Sequence, residues 1–264
     1  MRIMGVEVVQ IKKMLSIGIV CILVLGGFLA IEKPTFASQN DSGALKGTRR
    51  LNPIWWETWG GSGDEVANSI AVDSSNIYVA GETLSWGADY TDAIVLKYDL
   101  NGNEIWSKTW GGSKDEVANS IAVTSSNIYV AGWTDSHGAG EWDAFVLKYD
   151  LNGNVIWSKT WGGNGSEAAR SIAATASNIY VAGFTRSYGA SYNDAFVLKY
   201  DLNGNEIWSK TWGGSHDELA NSIAVTSSNI YVAGETRSYG TGIYDAFVLK
   251  YDLDGNEIWS KTWG

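Results

Sequence analysis

GSKDEVANSIAVTSSNIYVAGWTDSHGAGEWDAFVLKYDLNGNVIWSKTWG, residues 112–162, is a phrase of 51 residues that this chain writes four times, over 61–111, 112–162, 163–213 and 214–264. The closing tripeptide Thr-Trp-Gly stands at 58–60, 109–111, 160–162, 211–213 and 262–264. A fixed step of this size marks a stacked repeat architecture, and it decides how everything else in the chain is read. Within the phrase, EVANSIAV (116–123), NIYVAGWT (127–134), DAFVLKYDL (143–151) and NVIWSKTWG (154–162) are short, rich in β-branched and aromatic residues, and bounded by turn formers, so each is expected to be a strand. Strand DAFVLKY alternates, with Phe145, Leu147 and Tyr149 on one face and Ala144, Val146 and Lys148 on the other. LNGN at 151–154 is the clearest hairpin signal, because Gly153 accepts the positive φ of a tight reversal.

A lone four-stranded sheet cannot bury both faces, whereas sheets stacked radially can, so four strands at a period near 50 predict an all-β fold, a β-propeller. No stretch holds a 3.6-residue hydrophobic period long enough for a helix. A β-solenoid is the competing reading, although its coils usually need a shorter step. The expected organisation is four four-stranded blades of 51 residues plus one extra N-terminal strand, IWWETWG at 54–60, which matches the fourth strand of a unit without its first three. Two arrangements stay open: four blades close a small ring and the extra strand adds to an edge, or these are consecutive blades of a larger ring completed by another chain or by further sequence.

The repeats carry a resemblance. DEVANSIAVDSSNIYVAGET (64–83) and DAFVLKYDLNGNEIWSKTWGG (194–214) resemble the SBBP-type β-propeller repeat of exported bacterial and archaeal proteins over residues 57–264. The hairpin DLNGNEIW (201–208) is also similar to that of pyrroloquinoline-quinone-dehydrogenase-like propellers. The resemblance implies an exported, often cell-surface repeat domain, and it implies no catalytic residue and no cofactor.

Residues 1–37 are expected to act as a signal peptide or N-terminal membrane anchor. Lys12 and Lys13 precede MLSIGIVCILVLGGFLAI, 18 uncharged, mostly apolar residues followed by EKPTFAS. Cleavage after Ala37 fits a secretory signal. The same run, at 1.5 Å per residue, reaches about 27 Å, close to the roughly 30 Å of hydrocarbon that an uncleaved anchor must cross. Either way the repeats are exported, and contact with membrane is through this segment alone. The lone cysteine, Cys21, lies inside the run, so no disulfide is expected in the fold. Residues 38–53 read as a linker and 54–264 as the propeller domain.

From Ser38 onward 15 Lys and Arg face 27 Asp and Glu, a formal charge of −12, which argues against nucleic acid as a partner and favours cationic ones. The repeated indoles Trp106, Trp157, Trp208 and Trp259, with Trp110, Trp161, Trp212 and Trp263 four residues on, read as packing in the core and between blades. The spacing of Asp99, Asn101 and Asn103 and their equivalents does not fit a calcium loop and instead predicts side-chain caps within a hairpin. His137 and His216 fall in different units and make no metal signature, so no metal is expected. No catalytic constellation is assembled; a cross-blade carboxylate pair such as Glu65 with Glu116 has the residue types for acid–base work, but charge on a repeated loop usually serves solvation.

The variable positions point to partners. The connections 61–65, 112–116, 163–167 and 214–218, together with 85–92, 136–143, 187–194 and 238–245, are expected on one rim. Trp86, His137, Tyr188, Tyr239 and Trp142, interleaved with Asp64, Asp115 and Asp217, form the candidate binding rim. Such a surface suits a protein or a glycan, and aromatic residues tucked over neighbouring blades are the alternative reading. Arg170, which stands where the other units have Asn, is counted with the candidate rim; it is placed either to bind an anion in the channel or to pair with Glu167, and the ion pair is the preferred expectation. The functional expectation is an exported, non-enzymatic binding module at the cell surface. Alternatives are a polysaccharide-acting hydrolase or lyase, and a structural assembly unit completed by a second copy, that is, a homo-oligomer.

Overall fold

The computed structural model describes residues 55, 57–88, 90–190 and 192–264. The segment 1–37, the linker 38–53 and positions 54 and 56 of the extra strand lie outside the described residues. The chain folds into four antiparallel four-stranded sheets, each with its strands in sequence order. Blade one contains β1 (Glu65–Val72), β2 (Asn76–Thr83), β3 (Asp92–Asp99) and β4 (Glu104–Trp110). Blade two contains β5 (Glu116–Val123), β6 (Asn127–Thr134), β7 (Asp143–Asp150) and β8 (Val155–Trp161). Blade three contains β9 (Glu167–Ala174), β10 (Asn178–Thr185), β11 (Asp194–Asp201) and β12 (Glu206–Trp212). Blade four contains β13 (Glu218–Val225), β14 (Asn229–Thr236), β15 (Asp245–Asp252) and β16 (Glu257–Trp263). The first strands β1, β5, β9 and β13 pack against one another in succession, while the fourth strands lie outermost, which is the radial arrangement of propeller blades.

Each blade meets the next face to face. The alternation in β7 sends Phe145, Leu147 and Tyr149 into a core with Tyr78, Ala80, Ala93 and Val95 of blade one. Ala144 and Val146, on the opposite face, enter the core shared with Ile172, Ile179, Val181, Phe196 and Leu198 of blade three. A third core of the same kind joins blades three and four. Full burial of each such aliphatic or aromatic side chain is worth about 1.5–3 kcal/mol, so these contacts dominate cohesion between sheets. Trp106, Trp110, Trp157, Trp161, Trp208 and Trp212 border the cores at their edges, as expected of packing residues, whereas Trp259 and Trp263 border none of the three and Trp263 is 58% exposed, against the expectation.

Backbone chemistry sets the repeat's details. The first strand of each blade carries a register shift at Asn68, Asn119, Arg170 or Asn221, a β-bulge. Opposite that bulge, a Cβ on Gly132 would collide with the carbonyl oxygen of Val117, which is why strand two reads Val-Ala-Gly. In the hairpin after β7, Gly153 has φ +83°. There Asp150 accepts hydrogen bonds from the backbone of Asn152 and Asn154 and from the Asn154 side chain at 2.8–2.9 Å. The Asp and Asn residues are therefore hairpin caps.

One expectation needs correction, and one of the two arrangements left open by the sequence is not the one adopted. Glu57–Gly60 of the extra segment form no strand, because a fourth strand makes its ladder with the third strand of its own blade and this segment has none among the described residues. Its indoles still take fourth-strand seats: Trp55 lies against Gly102 as Trp106 lies against Gly153, and Trp59 meets Trp86 at 6.2 Å. The four blades also do not close on themselves. No hydrophobic core among the described residues joins blade four to blade one, and Ile70 of β1 is 46% exposed where its equivalents Ile121 and Ile223 are 3% and 7%.

Candidate ligand-binding rim

Every blade builds the same carboxylate clamp at one end. Glu116, the first residue of β5, is fully buried. It accepts from Thr134 Oγ1 at 2.7 Å, the Gly112 amide at 2.6 Å and the Ser136 amide at 3.1 Å. Glu167 and Glu218 repeat these bonds with Thr185, Gly163 and Ser187, and with Thr236, Gly214 and Ser238. The clamp ties the loop entering the blade to the loop between its second and third strands, so both families of connection lie on one rim. The acid–base partner considered for Glu65, Glu116, is thus committed to internal donors and closed to a substrate.

A second carboxylate braces the longer loop. Asp143 accepts from the amides of Ala139 and Gly140 at 2.8 and 3.3 Å. Burial pushes its carboxyl above the ordinary value, the hydrogen bonds oppose the rise and the Glu167 charge adds to it. Asp92 and Asp194 behave in the same direction for the same first cause.

The predicted site residues are distributed rather than gathered. His137, Tyr188 and Tyr239 each pack on the fourth-strand indole of the preceding blade, Trp110, Trp161 and Trp212, at 5.0–5.1 Å. The hydroxyls of Tyr188 and Tyr239 donate to the carbonyls of Gly162 and Gly213. These rings therefore cover the seams while keeping one face to solvent. Asp115 accepts from the Thr91 amide, and Asp217 accepts from the Asn193 side chain and pairs with Arg237 at 3.2 Å. Both staple neighbouring blades, and in blade three Ser166 does so by donating to Glu141. Asp64 is exposed at the rim end of blade one.

Arg170 does not belong to this rim, and the expected ion pair with Glu167 is not formed. The bulge turns it toward blade four, where it donates to Asn221 Oδ1 and lies 5.1 Å from the Phe184 ring. Glu167 is already filled by Thr185, Gly163 and the backbone of Arg186 and Ser187.

Sequence reasoning named Trp142 for the rim but missed its stacking partner and two further rim features. Trp142 stacks on Trp133 at 4.7 Å, making a broad apolar platform. Tyr192 of blade three stacks on His216 of blade four at 6.0 Å, nearly parallel. Arg186 borders an open cleft of about 440 Å³ with Asn164, Ser187 and Tyr188. The signal was present: positions 133, 186 and 216 all vary between otherwise near-identical units.

No family model matches the chain. It is similar to the regulatory protein FlaEY of Caulobacter vibrioides, 29% identical over 189 residues, covering 59% of this chain and 20% of that protein. It is also similar to an uncharacterized WD repeat-containing protein, L264, of Acanthamoeba polyphaga mimivirus, 31% identical over 96 residues, covering 30% of this chain and 7% of that one. The chain thus spans a fifth or less of these relatives' lengths. Among solved structures, lignostilbene dioxygenase of Pseudomonas brassicacearum aligns with a TM-score of 0.44 at 12% identity, over 72% of this chain and 45% of that one. BamB of Moraxella catarrhalis aligns with a TM-score of 0.33 at 12% identity, over 68% and 60%.

Proposed function

We propose that the chain is an exported, non-enzymatic β-propeller of SBBP-type repeats that binds a protein or a glycan through its variable rim at the cell surface. One observation carries this reading. Tyrosines written in every unit, such as Tyr78, Tyr129, Tyr180, Tyr149 and Tyr200, are buried between blades, whereas the variable loop aromatics Trp86, Trp142, Tyr188, Tyr192, Tyr239 and Tyr244 are all exposed on one rim. Variation among exposed aromatic loop positions on a rigid scaffold is how a binding surface is diversified without disturbing the fold. Export rests on the basic and apolar pattern of residues 1–37. A regulatory role, the word in the name of FlaEY, suits a module that recognises its partner without converting it.

The test is a glycan array together with a binding screen against purified surface proteins, run with the wild type, a Trp142→Ala/Tyr192→Ala variant and an Ile156→Ala control on the exposed side of β8. Rim binding predicts a loss of about tenfold or more for the aromatic variant and none for the control. Turnover of a polysaccharide without a retained ligand would instead establish the hydrolase or lyase reading.

A further inference from the structure

The three junctions between blades are chemically one junction repeated. Each time, a lysine and an indole of one blade donate to a single carbonyl of the next: Lys97 and Trp106 to Leu151, Lys148 and Trp157 to Leu202, Lys199 and Trp208 to Leu253. Each time, a serine hydroxyl accepts from the next blade's isoleucine amide: Ser69 from Ile121, Ser120 from Ile172, Ser171 from Ile223. At the rim, the amides of Glu116, Glu167 and Glu218 donate to the carbonyls of Thr91, Trp142 and Asn193 in the blade before.

The outer faces of the terminal blades hold the two halves of a fourth such junction. Blade four presents Lys250, Trp259, Ser222 and the Tyr244 carbonyl, and blade one presents the Leu100 carbonyl and the amides of Ile70 and Glu65, each at the matching step of the repeat. The apolar surfaces are uncovered to match. Ala246 is exposed where Ala144 and Ala195 are buried, Trp263 is 58% exposed, and Ile70 and Ala67 are open on the facing side.

We infer that the free face of blade four docks on the free face of blade one of a second copy of this chain, head to tail, so that two copies close an eight-bladed ring. The occupant is a second copy because the two faces are already complementary within the chain, donor for acceptor, three times over. Complementary but unlike faces make a heterologous contact, which closes into a ring when the rotation allows. Propellers typically have about four to eight blades, so two copies is the multiple that fits. Trp259 and Trp263 of the incoming blade would take the seats on blade one that Trp55 and Trp59 hold here, so these two indoles act as a removable cover. This goes beyond rim binding, and it leaves the rim free.

The test is molecular mass in solution by light scattering, with the purified full chain, Ala246→Glu, Ile70→Glu and the two variants mixed. Both substitutions lie on exposed positions, and circular dichroism checks that each variant stays folded. The wild type should have twice the chain mass and each variant alone the single-chain mass. The mixture should regain a one-to-one dimer, since it retains one intact junction. Trp55→Ala/Trp59→Ala should tighten wild-type association several-fold. A wild-type monomer at micromolar concentration, a dimer indifferent to both glutamates, a mixture that stays monomeric, or weaker association of the tryptophan variant would each overturn the inference.

Discussion

Glu116 shows how much a single carboxylate can organise. Fully buried, it survives only because Thr134, Gly112 and Ser136 surround it with donors. Glu116→Gln keeps the shape but turns an amide N–H₂ toward those donors, and it should cost about 2 kcal/mol in a urea unfolding curve. The aspartates give the molecule a pH signature of two opposing signs. Hydrogen bonds from the paired asparagines hold Asp99, Asp150, Asp201 and Asp252 below the ordinary 3.8. Their stabilisation is present above 3.8 and is lost as pH falls through the lower folded values. Asp92, Asp143 and Asp194 are pushed up by burial, so their ionisation costs stability above their raised folded values, and that cost is relieved as pH falls through them toward 3.8. Stability should therefore rise on mild acidification and fall below pH 3.8. Urea midpoints across pH should show the rise diminished in Asp143→Asn and the fall diminished in Asp150→Asn.

At the scale of the element, the third strand is the hinge of the design. In β7 its two faces enter two different cores, and Lys148, 8% exposed, reaches across a junction to Leu202 at 2.7 Å. Lys148→Met should lower stability by about 1–2 kcal/mol, while Lys250→Met, the same residue on the uncovered blade, should change it little in the monomer. A pair of unfolding curves distinguishes the two. Strand bounds and face assignment were legible in the sequence because alternation in DAFVLKY and the Gly-Asn turns are local signals. The bulge was not, since Asn119 and Gly132 reveal their relation only once β5 and β6 are paired. For the same reason Arg170 was assigned to Glu167, its sequence neighbour, although the bulge directs it to Asn221 in the next blade.

For the whole molecule, stability follows from nearest neighbours, as in other repeat proteins. Blades two and three are covered on both faces, and blades one and four on one face each by another complete blade. Amide exchange in the monomer should therefore be slowest in β5–β12 and faster in β1–β4 and β13–β16, as read by hydrogen–deuterium exchange mass spectrometry. Equal protection of all four blades at a concentration where the protein is monomeric would contradict an open arc.

By itself the sequence determined the blade: its strands, its turns, its buried aromatic set and the variable aromatic rim, all of which are encoded within one period of 51 residues. Only the tertiary structure decided how the copies are joined and where the joining stops. Hydrogen bonds such as Lys97 to Leu151 link residues 54 apart and depend on two sheets already standing face to face. The same dependence gave the closing Thr-Trp-Gly and the glycine after it their role. The Trp seats against the next blade and the glycine following the tripeptide donates its amide to that blade's buried Glu, as Trp110 and Gly112 do for blade two. Trp263 has the same chemistry but meets no such neighbour among the described residues, because a repeat specifies both halves of a junction and only the pairing of sheets decides which halves meet.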